Sequence, residues 1–450
     1  FGGGHSYCRQ MDGGQRFMKV AILTGGKGTR LGLKDIPKPM APLAGRMLLE
    51  RLIDVAKASG FREFVFLNGH LAEKVEGHFG DGANYGVHIT HVREREPMGT
   101  AGAVRAAAHE LTEPFLLLYG DTLLDVDLAH FARFHGQSGA MVSIFVHPNN
   151  HPHDSDLVEV ENEQVRRFLP KPHEDGALLP NLVSAALYAL DPAALDFAPA
   201  DEPSDWGGQI FPAMIAAGAK IAAYRSVEYI KDMGTPERLM QGAEDLRSGK
   251  VAALRRAAPK PALFLDRDGV LNAEVNGVHR PEQLRLLPGV AAAVARTNAA
   301  GIPAICITNQ PDLAKGFFTK DDLTRVFAAL DTALAVEAGA YLDDMFYCPH
   351  HPESGWPGEV ADLKIDCDCR KPKPGLLLAA AVKHNIDLAR SWFVGDRHTD
   401  IVAAHAAGAR GILIRSDTAQ AGRSTSDAIP DYITDNLPDA VDHVLREIYP

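Results

Sequence analysis

The chain has 450 residues and a formal net charge of −12, which favours two or three domains and argues against nucleic-acid binding through a basic face. No apolar stretch approaches the roughly 20 residues of a membrane span, and residues 1–17 form a polar, Gly-rich leader without a signal-peptide core. The five cysteines favour a reducing compartment over a disulfide framework, so we expect a cytoplasmic protein with small-molecule substrates and neither nucleic acid nor membrane as a partner.

The first half of the chain alternates strand-like and helix-like patterns. Apolar runs that end in small or polar residues predict strands within 18–26, 64–69, 115–121 and 141–147. Residues 47–60 predict a helix. The apolar residues that fall on one stripe of this helix are Leu48, Leu49, Leu52, Ile53 and Ala56. The alternation predicts an α/β domain at 18–248, with a parallel, doubly wound, Rossmann-like sheet and helices on both faces.

A basic, Ala- and Pro-rich segment at 249–260 predicts a linker, and a second doubly wound α/β domain is expected at 261–450. The predicted strands of this domain lie within 262–266, 302–310, 391–396 and 411–416. A helix is predicted after Thr319, which is spaced from Asp322 as in a capping box. Open α/β sheets bind ligands at the carboxyl ends of their strands, so polar residues directly after strands are the candidates for function.

A glycine-rich turn from Thr24 to Arg30 follows the first predicted strand. Glycines allow successive backbone N–H groups to converge on an anion, and the Arg30 guanidinium would add a planar fork for phosphate oxygens. The turn lacks the Gly-Lys-Ser/Thr ending of a P-loop. A plain strand-to-helix turn with solvated cations is the alternative interpretation.

Further polar candidates follow along the first half. Prolines hold Lys38 in a stiffened, extended segment. A second loop of small residues, at 96–104, leads into a helix. Asp121 and Asp232 come at or just after strand ends. Two such carboxylates can share Mg²⁺ with substrate phosphates, while capping of a helix is the alternative for each.

These ordered motifs, over about Met18 to Gly242, resemble those of the sugar-phosphate nucleotidyltransferases. The resemblance implies in-line attack of a sugar 1-phosphate oxygen on the α-phosphorus of a nucleoside triphosphate, with pyrophosphate leaving and no covalent protein intermediate. By this resemblance, the triphosphate would be bound by Gly25, Gly26, Gly28, Thr29 and Arg30, and Lys38 would neutralise its phosphates. Asp121 and Asp232 would hold Mg²⁺, and Gly99 and Thr100 would line the base pocket. Lys171 would bind the sugar phosphate and Asn181 the sugar hydroxyls.

The chain departs from the broad family pattern between Leu31 and Pro37, where the segment is short and the usual Arg-Pro is replaced by Gly-Leu-Lys-Asp. Residues 34–42 and 120–128 are most similar to the branch that transfers GMP to heptose 1-phosphate. Guanine is implied by that likeness alone, because no residue of the sequence by itself distinguishes guanine from uracil.

Asp266 and Asp268 follow the first predicted strand of the second half, across a tight turn that contains glycine. Carboxylates with this spacing can face one metal ion and one phosphate. The other polar residues after predicted strands of this half are Thr308, Asn309, Asp396 and Asp400. For any single aspartate, and for Asp400 above all, a turn or a helix N-cap is the alternative.

The Asp-Arg-Asp-Gly-Val-Leu-Asn signature makes about Pro261 to Arg415 resemble the haloacid dehalogenase-like phosphatases. The resemblance implies that Asp266 is a nucleophile that forms an aspartyl-phosphate. Asp268 would protonate the leaving alkoxide and then activate water. Mg²⁺ would be held by Asp266, the carbonyl of Asp268 and Asp396, while Thr308 and a lysine would bind the transferring phosphoryl group.

One loop of the second half concentrates soft metal ligands: Cys348, His350, Cys367 and Cys369. Three thiolates and an imidazole suit a closed, structural Zn²⁺ site. Such a site would hold in place a loop that has few apolar residues of its own. His351 is an alternative to His350. A disulfide from Cys348 to Cys367 or Cys369 is the main competing interpretation.

This loop resembles that of the zinc-bearing heptose bisphosphate phosphatases and the related histidinol phosphatases. The resemblance assigns the phosphoryl group to Lys371, with Lys373 as competitor, and the rest of the substrate to Arg370. The sequence thus predicts a bifunctional enzyme that removes a 7-phosphate and then makes a nucleotide-activated heptose for a surface glycan. The alternatives are a uridylyltransferase joined to a general phosphomonoesterase, and a chain in which one domain is an inactive binding module.

Overall fold

The computed structural model describes residues 18–26, 28, 31–33, 35–415 and 428–449. The predicted leader and the predicted cradle residues Thr29 and Arg30 lie outside the described residues. The chain divides into two compact units, and the last division falls between Arg255 and Arg256, within the segment predicted as a linker. Unit 1 consists of the chain up to Val146, Asp156–Lys171 and Val183–Arg255, and unit 2 of His147–Ser155, Pro172–Leu182 and the chain from Arg256 onward.

Unit 1 is built on strands β1 to β13. Their bounds are β1 (Lys19–Leu23), β2 (Pro42–Leu43), β3 (Arg46–Met47), β4 (Glu63–Asn68), β5 (His88–Arg93), β6 (Phe115–Tyr119), β7 (Thr122–Asp125), β8 (Val142–His147), β9 (Leu157–Glu161), β10 (Gln164–Leu169), β11 (Val183–Leu190), β12 (Ile221–Arg225) and β13 (Tyr229–Asp232). Its helices are α1 (Leu48–Ala58), α2 (Ala72–Phe79), α3 (Gly99–Ala106), α4 (Leu128–Ser138), α5 (Phe211–Ala216), α6 (Pro236–Arg247) and α7 (Lys250–Ala253). Shorter helical turns lie at Lys38–Met40, Ala83–Tyr85, Pro192–Phe197 and Trp206–Ile210.

The main sheet of unit 1 has nine strands in the order β5-β4-β1-β6-β11-β8-β12-β10-β9. Strands β5, β4, β1 and β6 are parallel, as predicted. Beyond β6 the sheet is mixed, and there the prediction of a parallel sheet is wrong in part. β11 runs antiparallel to β6 and β10 antiparallel to both β9 and β12, whereas β8 and β12 are parallel. The β9–β10 hairpin turns through Asn162 and Glu163, both with positive φ (50° and 59°), and such two-residue turns join antiparallel strands.

The core of unit 1 lies between this sheet and its helices. The five apolar residues predicted to form one stripe of α1 are all buried, which confirms the predicted face of this helix. Their removal from water, together with that of aromatic side chains such as Phe64 and Phe66 from β4, is the main stabilising contribution to such a core. The carboxyl ends of β1 and β6, where the strand order reverses, are thereby fixed in place.

Unit 2 is built on strands β14 (Leu263–Leu265), β15 (Ala304–Asn309), β16 (Asp344–Cys348), β17 (Trp392–Gly395), β18 (Arg410–Ile414) and β19 (Tyr432–Thr434). Its helices are α8 (Val290–Ala299), α9 (Lys320–Ala338), α10 (Gly375–His384), α11 (His398–Ala407) and α12 (Leu437–Ile448). Short 3₁₀ helices lie at Pro152–Asp154, Pro281–Gln283, Ala361–Leu363 and Leu388–Arg390.

The six strands of unit 2 form a sheet in the order β16-β15-β14-β17-β18-β19. All of its neighbouring pairs are parallel, which confirms the predicted parallel sheet here. The strand order reverses between β14 and β17, the place where such sheets bind ligands. The predicted capping box at α9 is also confirmed, because the Thr319 hydroxyl accepts the N–H of Asp322 at 3.2 Å and the backbone N–H of Thr319 donates to the Asp322 carboxylate at 2.9 Å. No helix among the described residues is long and apolar enough to cross a membrane.

Candidate active sites

The glycine turn of unit 1 lies at the point where the carboxyl ends of β1, β4 and β5 meet. A Cβ atom on Gly25 would lie 3.2 Å from the Cα atom of Gly69 and 2.8 Å from Oε2 of Glu94. Gly28 has φ +62°, which favours glycine, and its Cβ position would lie 3.5 Å from the Cβ of Lys38. Glycine is therefore required at this turn for close approach as well as for backbone conformation.

Glu94 is a residue of this site that the sequence analysis missed. Its carboxylate is partly buried and accepts a long hydrogen bond from the backbone N–H of Met98 at 3.4 Å. Burial raises the pKa of Glu94, with the hydrogen bond from Met98 acting in the opposite direction. The only signal in the sequence was its place one residue after the end of an edge strand.

Lys38, Asp121 and Asp232 come together beside the glycine turn. Lys38 forms an ion pair with Asp121. The carbonyl of Asp121 accepts the N–H of Met233 at 2.8 Å, which places Asp121 next to Asp232 across the β7–β13 ladder. A Cβ atom on Gly234 would lie 3.5 Å from Nζ of Lys38 and 2.6 Å from Oδ1 of Asp232. Asp232 also forms an ion pair with Arg238. The two aspartates are of the residue type that Mg²⁺ takes together with substrate phosphates, and their predicted metal binding stays a prediction.

The other residues predicted to bind substrate in unit 1 have the following conformations and contacts. Gly99 has φ +74° and begins α3, while the Thr100 hydroxyl donates a hydrogen bond to Asp205 at 2.7 Å. Lys171 is exposed, and its backbone N–H donates to Asp156 at 3.1 Å. The predicted contacts of these residues with base and sugar stay predictions.

Asn181, predicted to bind sugar hydroxyls, belongs to unit 2. It is 2% exposed. Its amide carbonyl accepts the N–H of Asn149 at 3.0 Å, and its amide nitrogen donates to the carbonyl of Asn149 at 2.7 Å. Its own backbone N–H donates to Asp331 at 3.1 Å. The described contacts of Asn181 are thus with the protein backbone and with α9.

The polar residues of unit 2 meet where its strand order reverses. Asp266 follows β14, Asp396 follows β17, and Asp400 lies in the first turn of α11. Their carboxylates are buried, and one oxygen of each lies within 4.8 Å of the others. The ammonium group of Lys371 is 2.7 Å from Asp266 and 2.8 Å from Asp400.

Burial and ion pairing shift the pKa values of Asp266 and Lys371 in opposite directions. Burial raises the pKa of Asp266 to about 6, although Lys371 lowers it, and Asp400 raises it further. Burial alone would lower the pKa of Lys371, but its ion pairs with Asp266 and Asp400 raise it overall, so this lysine stays protonated. Within the described cluster, three buried carboxylates face one buried ammonium group. Buried charge of one sign is costly, so this donor set fits a divalent cation such as Mg²⁺.

Asp400 was weighed in the sequence as a helix cap, and the structure gives it two contacts. One oxygen, at position N3 of α11, accepts the backbone N–H of the N-cap residue Arg397 at 3.0 Å, while the other faces Lys371. Gly395 leaves room for this carboxylate, since a Cβ atom on Gly395 would lie 2.3 Å from the Cβ of Asp400 and 2.4 Å from its Oδ2. Its spacing of four residues from Asp396 was the available signal.

The structure brings Lys371, and not Lys373, to the three-carboxylate cluster of unit 2. Lys373 is partly exposed and pairs with Asp366 at 2.7 Å. Asn309, predicted to bind substrate, holds the backbone of Lys371 through two hydrogen bonds of 3.1 Å. Thr308 is buried at the end of β15, where its hydroxyl accepts a hydrogen bond from Gln310 at 2.9 Å.

Asp268 lies at this edge of the sheet with its carboxylate turned to the guanidinium of Arg267. It is not one of the residues in the three-carboxylate cluster. Its predicted contribution to metal binding, through the backbone carbonyl, stays a prediction. Arg370 donates a long hydrogen bond to the carbonyl of His350 at 3.4 Å, and its predicted substrate contact also stays a prediction.

Cys348, His350, Cys367 and Cys369 form one compact cluster at the end of β16. The Sγ atom of Cys348 lies 3.5 Å from that of Cys367 and 3.2 Å from that of Cys369, and Nδ1 of His350 is 3.2 Å from Cys369. All four described cysteines, including Cys306, are free thiols. Three sulfurs and an imidazole are the donors of structural zinc sites, so this set fits Zn²⁺.

His351 lies outside this cluster. Its Nδ1 accepts the backbone N–H of Glu353 at 3.2 Å, and its ring packs edge-on against Trp356, with the ring centroids 5.0 Å apart. Of the two histidines that the sequence left open, the geometry therefore selects His350.

Comparisons with known proteins agree with this division of the chain. The Nucleotidyl transferase family matches residues 19–249, and the HAD-hydrolase-like family matches residues 368–440. A D-glycero-D-manno-heptose-1,7-bisphosphate 7-phosphatase from Thermosynechococcus vestitus is 43% identical over 197 residues, which are 43% of this chain and 99% of that protein. A D-glycero-beta-D-manno-heptose-1,7-bisphosphate 7-phosphatase from Vibrio cholerae is 37% identical over 187 residues, which are 42% of this chain and 97% of its own.

Among solved structures, HddC from Yersinia pseudotuberculosis complexed with GMP-PN is similar at 21% identity and a TM-score of 0.45, over 51% of this chain and 100% of that chain. The match of the Nucleotidyl transferase family to residues 19–249 and the 43% identity to the relative from Thermosynechococcus vestitus show the families of this chain. The chain belongs to the nucleotidyl transferase family through its first half and to the haloacid dehalogenase-like family of heptose bisphosphate phosphatases through its second half, and it joins the two enzymes in one polypeptide.

Proposed function

We propose that the two units catalyse consecutive steps toward a nucleotide-activated heptose. Unit 2 hydrolyses the 7-phosphate of D-glycero-D-manno-heptose 1,7-bisphosphate, and unit 1 transfers GMP from GTP to the resulting heptose 1-phosphate with release of pyrophosphate. The observation that carries this proposal is the 43% identity to a heptose bisphosphate 7-phosphatase over 99% of its length, on a chain whose first half matches the nucleotidyl transferase family.

In the proposed phosphatase reaction, a carboxylate oxygen of Asp266 attacks the phosphorus of the 7-phosphate. The bond from phosphorus to the sugar oxygen breaks, and Asp268 gives its proton to that oxygen. Asp268, now a carboxylate, takes a proton from water, whose oxygen attacks the aspartyl-phosphate. The bond to Asp266 breaks and phosphate leaves. Lys371, which contacts Asp266 at 2.7 Å, neutralises charge on the phosphoryl oxygens.

Two metal ions complete the proposed phosphatase unit. Mg²⁺ would be held by Asp266, Asp396 and the carbonyl of Asp268, with Asp400 close by, and it would reduce the repulsion between the attacking carboxylate and the phosphate. Zn²⁺ would be held by Cys348, His350, Cys367 and Cys369 and would have a structural role. The last of these ligands directly precedes Arg370 and Lys371, so the metal would fix the chain where both cations leave the loop.

In the proposed nucleotidyl transfer, an oxygen of the sugar 1-phosphate attacks the α-phosphorus of GTP, and the bond to the leaving pyrophosphate breaks. The protein forms no bond to the nucleotide, so catalysis depends on alignment and charge. Lys38 would neutralise the phosphates from its position beside Asp121. Asp121 and Asp232 would hold Mg²⁺, and the backbone at Gly25, Gly26 and Gly28 would bind the triphosphate.

The choice of guanine is supported by Glu94. Among the described residues, this partly buried carboxylate receives one long hydrogen bond, from Met98, and its Oε2 lies against the backbone of Gly25 and Gly69. A carboxylate only accepts hydrogen bonds. Guanine offers two adjacent donors, N1–H and the N2 amino group, whereas uracil offers one N–H between two carbonyl oxygens. A carboxylate here would favour guanine and repel uracil.

The proposed function is tested by giving the protein heptose 1,7-bisphosphate and equimolar GTP, ATP, CTP and UTP, with products analysed by mass spectrometry. GDP-heptose as the main sugar nucleotide, together with phosphate and pyrophosphate, is the expected result. Phosphate without any sugar nucleotide would retain the phosphatase and contradict the assignment of unit 1. UDP-heptose as the main product would contradict the choice of base alone.

A further inference from the structure

Arg267 is a charged side chain in the interior of unit 2. It follows β14 between Asp266 and Asp268 and is 0% exposed. Arginine is seldom fully buried unless it is paired. Its Nε and Nη2 atoms both face the carboxylate of Asp268, with Nη2 at 2.7 Å from Oδ2 and 2.9 Å from Oδ1 and Nε at 3.1 Å from Oδ1. The fork of the guanidinium thus holds the flat carboxylate at several points.

Two further side chains hold the same carboxylate. Nδ2 of Asn272 donates to Oδ1 of Asp268 at 2.9 Å, and Nε2 of Gln310 reaches Oδ2 at 3.4 Å. Asn272 is itself 0% exposed. The side chain of Asp268 is therefore held by donors from the turn after β14 and from the segment after β15.

The pair of Arg267 and Asp268 is not needed to close this turn. Backbone hydrogen bonds already do so, from Leu271 and Asn272 to the carbonyl of Arg267 at 2.8 and 3.0 Å and from Gly269 to the carbonyl of Asn272 at 2.8 Å. Replacement of a buried ion pair by apolar residues is often neutral or stabilising. A buried arginine at this place therefore needs an explanation other than stability.

We propose that Arg267, assisted by Asn272, is a positioning residue that fixes the carboxyl group of Asp268 for both of its proton transfers. This inference rests on the proposed roles of Asp266 and Asp268. In the first transfer the group must reach the leaving sugar oxygen, and in the second it must reach a water molecule aligned with the phosphorus. Rotation of the carboxyl group would misplace both protons, and a bidentate guanidinium restrains that rotation.

The second proton transfer depends on the same positioning. Without the two-point contact of Arg267, the carboxyl group of Asp268 should be misaligned toward the attacking water as well. Hydrolysis of the aspartyl-phosphate should therefore also slow, and the intermediate should accumulate. Departure of a good leaving group needs no proton, so that step should be less affected than departure of a sugar alkoxide.

The test compares Arg267→Gln with Asp268→Asn and with Arg285→Gln, an exposed arginine whose side chain, among the described residues, donates to the neighbouring carbonyl of Leu284. The substrates are heptose 1,7-bisphosphate and p-nitrophenyl phosphate, and acid-quenched protein is assayed for bound phosphate. Arg267→Gln is expected to lower kcat for the sugar substrate by about 10-fold or more, with KM nearly unchanged. The rate of the first step should fall less with p-nitrophenyl phosphate than with the sugar substrate. Phosphate bound to the protein should accumulate. Arg285→Gln should match the wild type.

Equal losses on both substrates without bound phosphate would show a structural role only and would overturn the inference. If Asp268→Asn keeps full phosphate release, the proposed role of Asp268 fails instead. Should Arg267→Gln unfold, Asn272→Ala replaces it, since this variant keeps the guanidinium and removes one anchor of the carboxylate. The same leaving-group pattern at smaller size is then expected, and an unchanged pattern would contradict the inference.

Discussion

The ammonium group of Lys371 bridges two buried carboxylates, at 2.7 Å from Asp266 and 2.8 Å from Asp400. Lys371→Met removes that bridge and leaves both carboxylates buried without it. We expect the phosphatase activity to be lost and unit 2 to lose about 3–5 kcal/mol of stability, as for other broken buried pairs. Urea denaturation and phosphate release measure both effects. Lys373→Met is the matched control, and a comparable loss of activity in it would show that the wrong lysine had been chosen.

Asp266→Asn removes the proposed nucleophile. We expect phosphate release from heptose 1,7-bisphosphate to become undetectable, because an amide does not form the acyl-phosphate bond. Pyrophosphate release with heptose 1-phosphate and GTP should stay unchanged, because that reaction is assigned to unit 1. Asp366→Asn, at an exposed carboxylate that pairs with Lys373, is the control. Loss of both activities in Asp266→Asn would contradict two independent sites.

Removal of zinc tests the cysteine cluster. We expect the purified protein to contain one zinc ion per chain, and Cys369→Ser to lose it, since a hydroxyl is a poorer zinc ligand than a thiolate. The loop before Arg370 and Lys371 should then be less ordered, which raises the KM of the phosphatase and leaves nucleotidyl transfer intact. Zinc content is measured by mass spectrometry of the metal. His351→Ala should keep its zinc, and its loss there would reverse the choice between the two histidines.

Glu94→Gln tests whether Glu94 makes unit 1 selective for guanine over uracil. The amide keeps the shape of the carboxylate but loses its charge and one acceptor, so kcat/KM for GTP should fall roughly 10- to 100-fold, as expected for hydrogen bonds to a charged group. The value for UTP should stay level or rise. Glu96→Gln, an exposed carboxylate two residues further on, is the control. An unchanged ratio of GTP to UTP would remove Glu94 from base recognition.

Local rules predicted much of this fold. The stripe of α1 and the capping box of α9 depend only on residues within a few turns of helix, so the sequence carries them directly. The polar residues after β14, β15 and β17 could also be predicted to meet, since the carboxyl ends of parallel strands share one edge of a sheet.

Long-range relationships could not be predicted in the same way. The direction of β11 relative to β6 is set by the path of the chain between them, and no pattern within either strand encodes it. Likewise, Lys371 and Lys373 are two residues apart in one proline-rich segment. Only the packing of that segment against Asn309 shows which of the two faces Asp266.

Because Gly395 has no side chain, the carboxylate of Asp400 can lie beside it and contact Lys371. A methyl group there would coincide with Asp400, at 2.3 Å from its Cβ, so every other amino acid at position 395 would push that carboxylate away from Lys371. The disturbance would pass through the ammonium group to Asp266. A position with no reactive group of its own therefore limits which sequences this enzyme can have, and searches for altered phosphatases should leave it untouched.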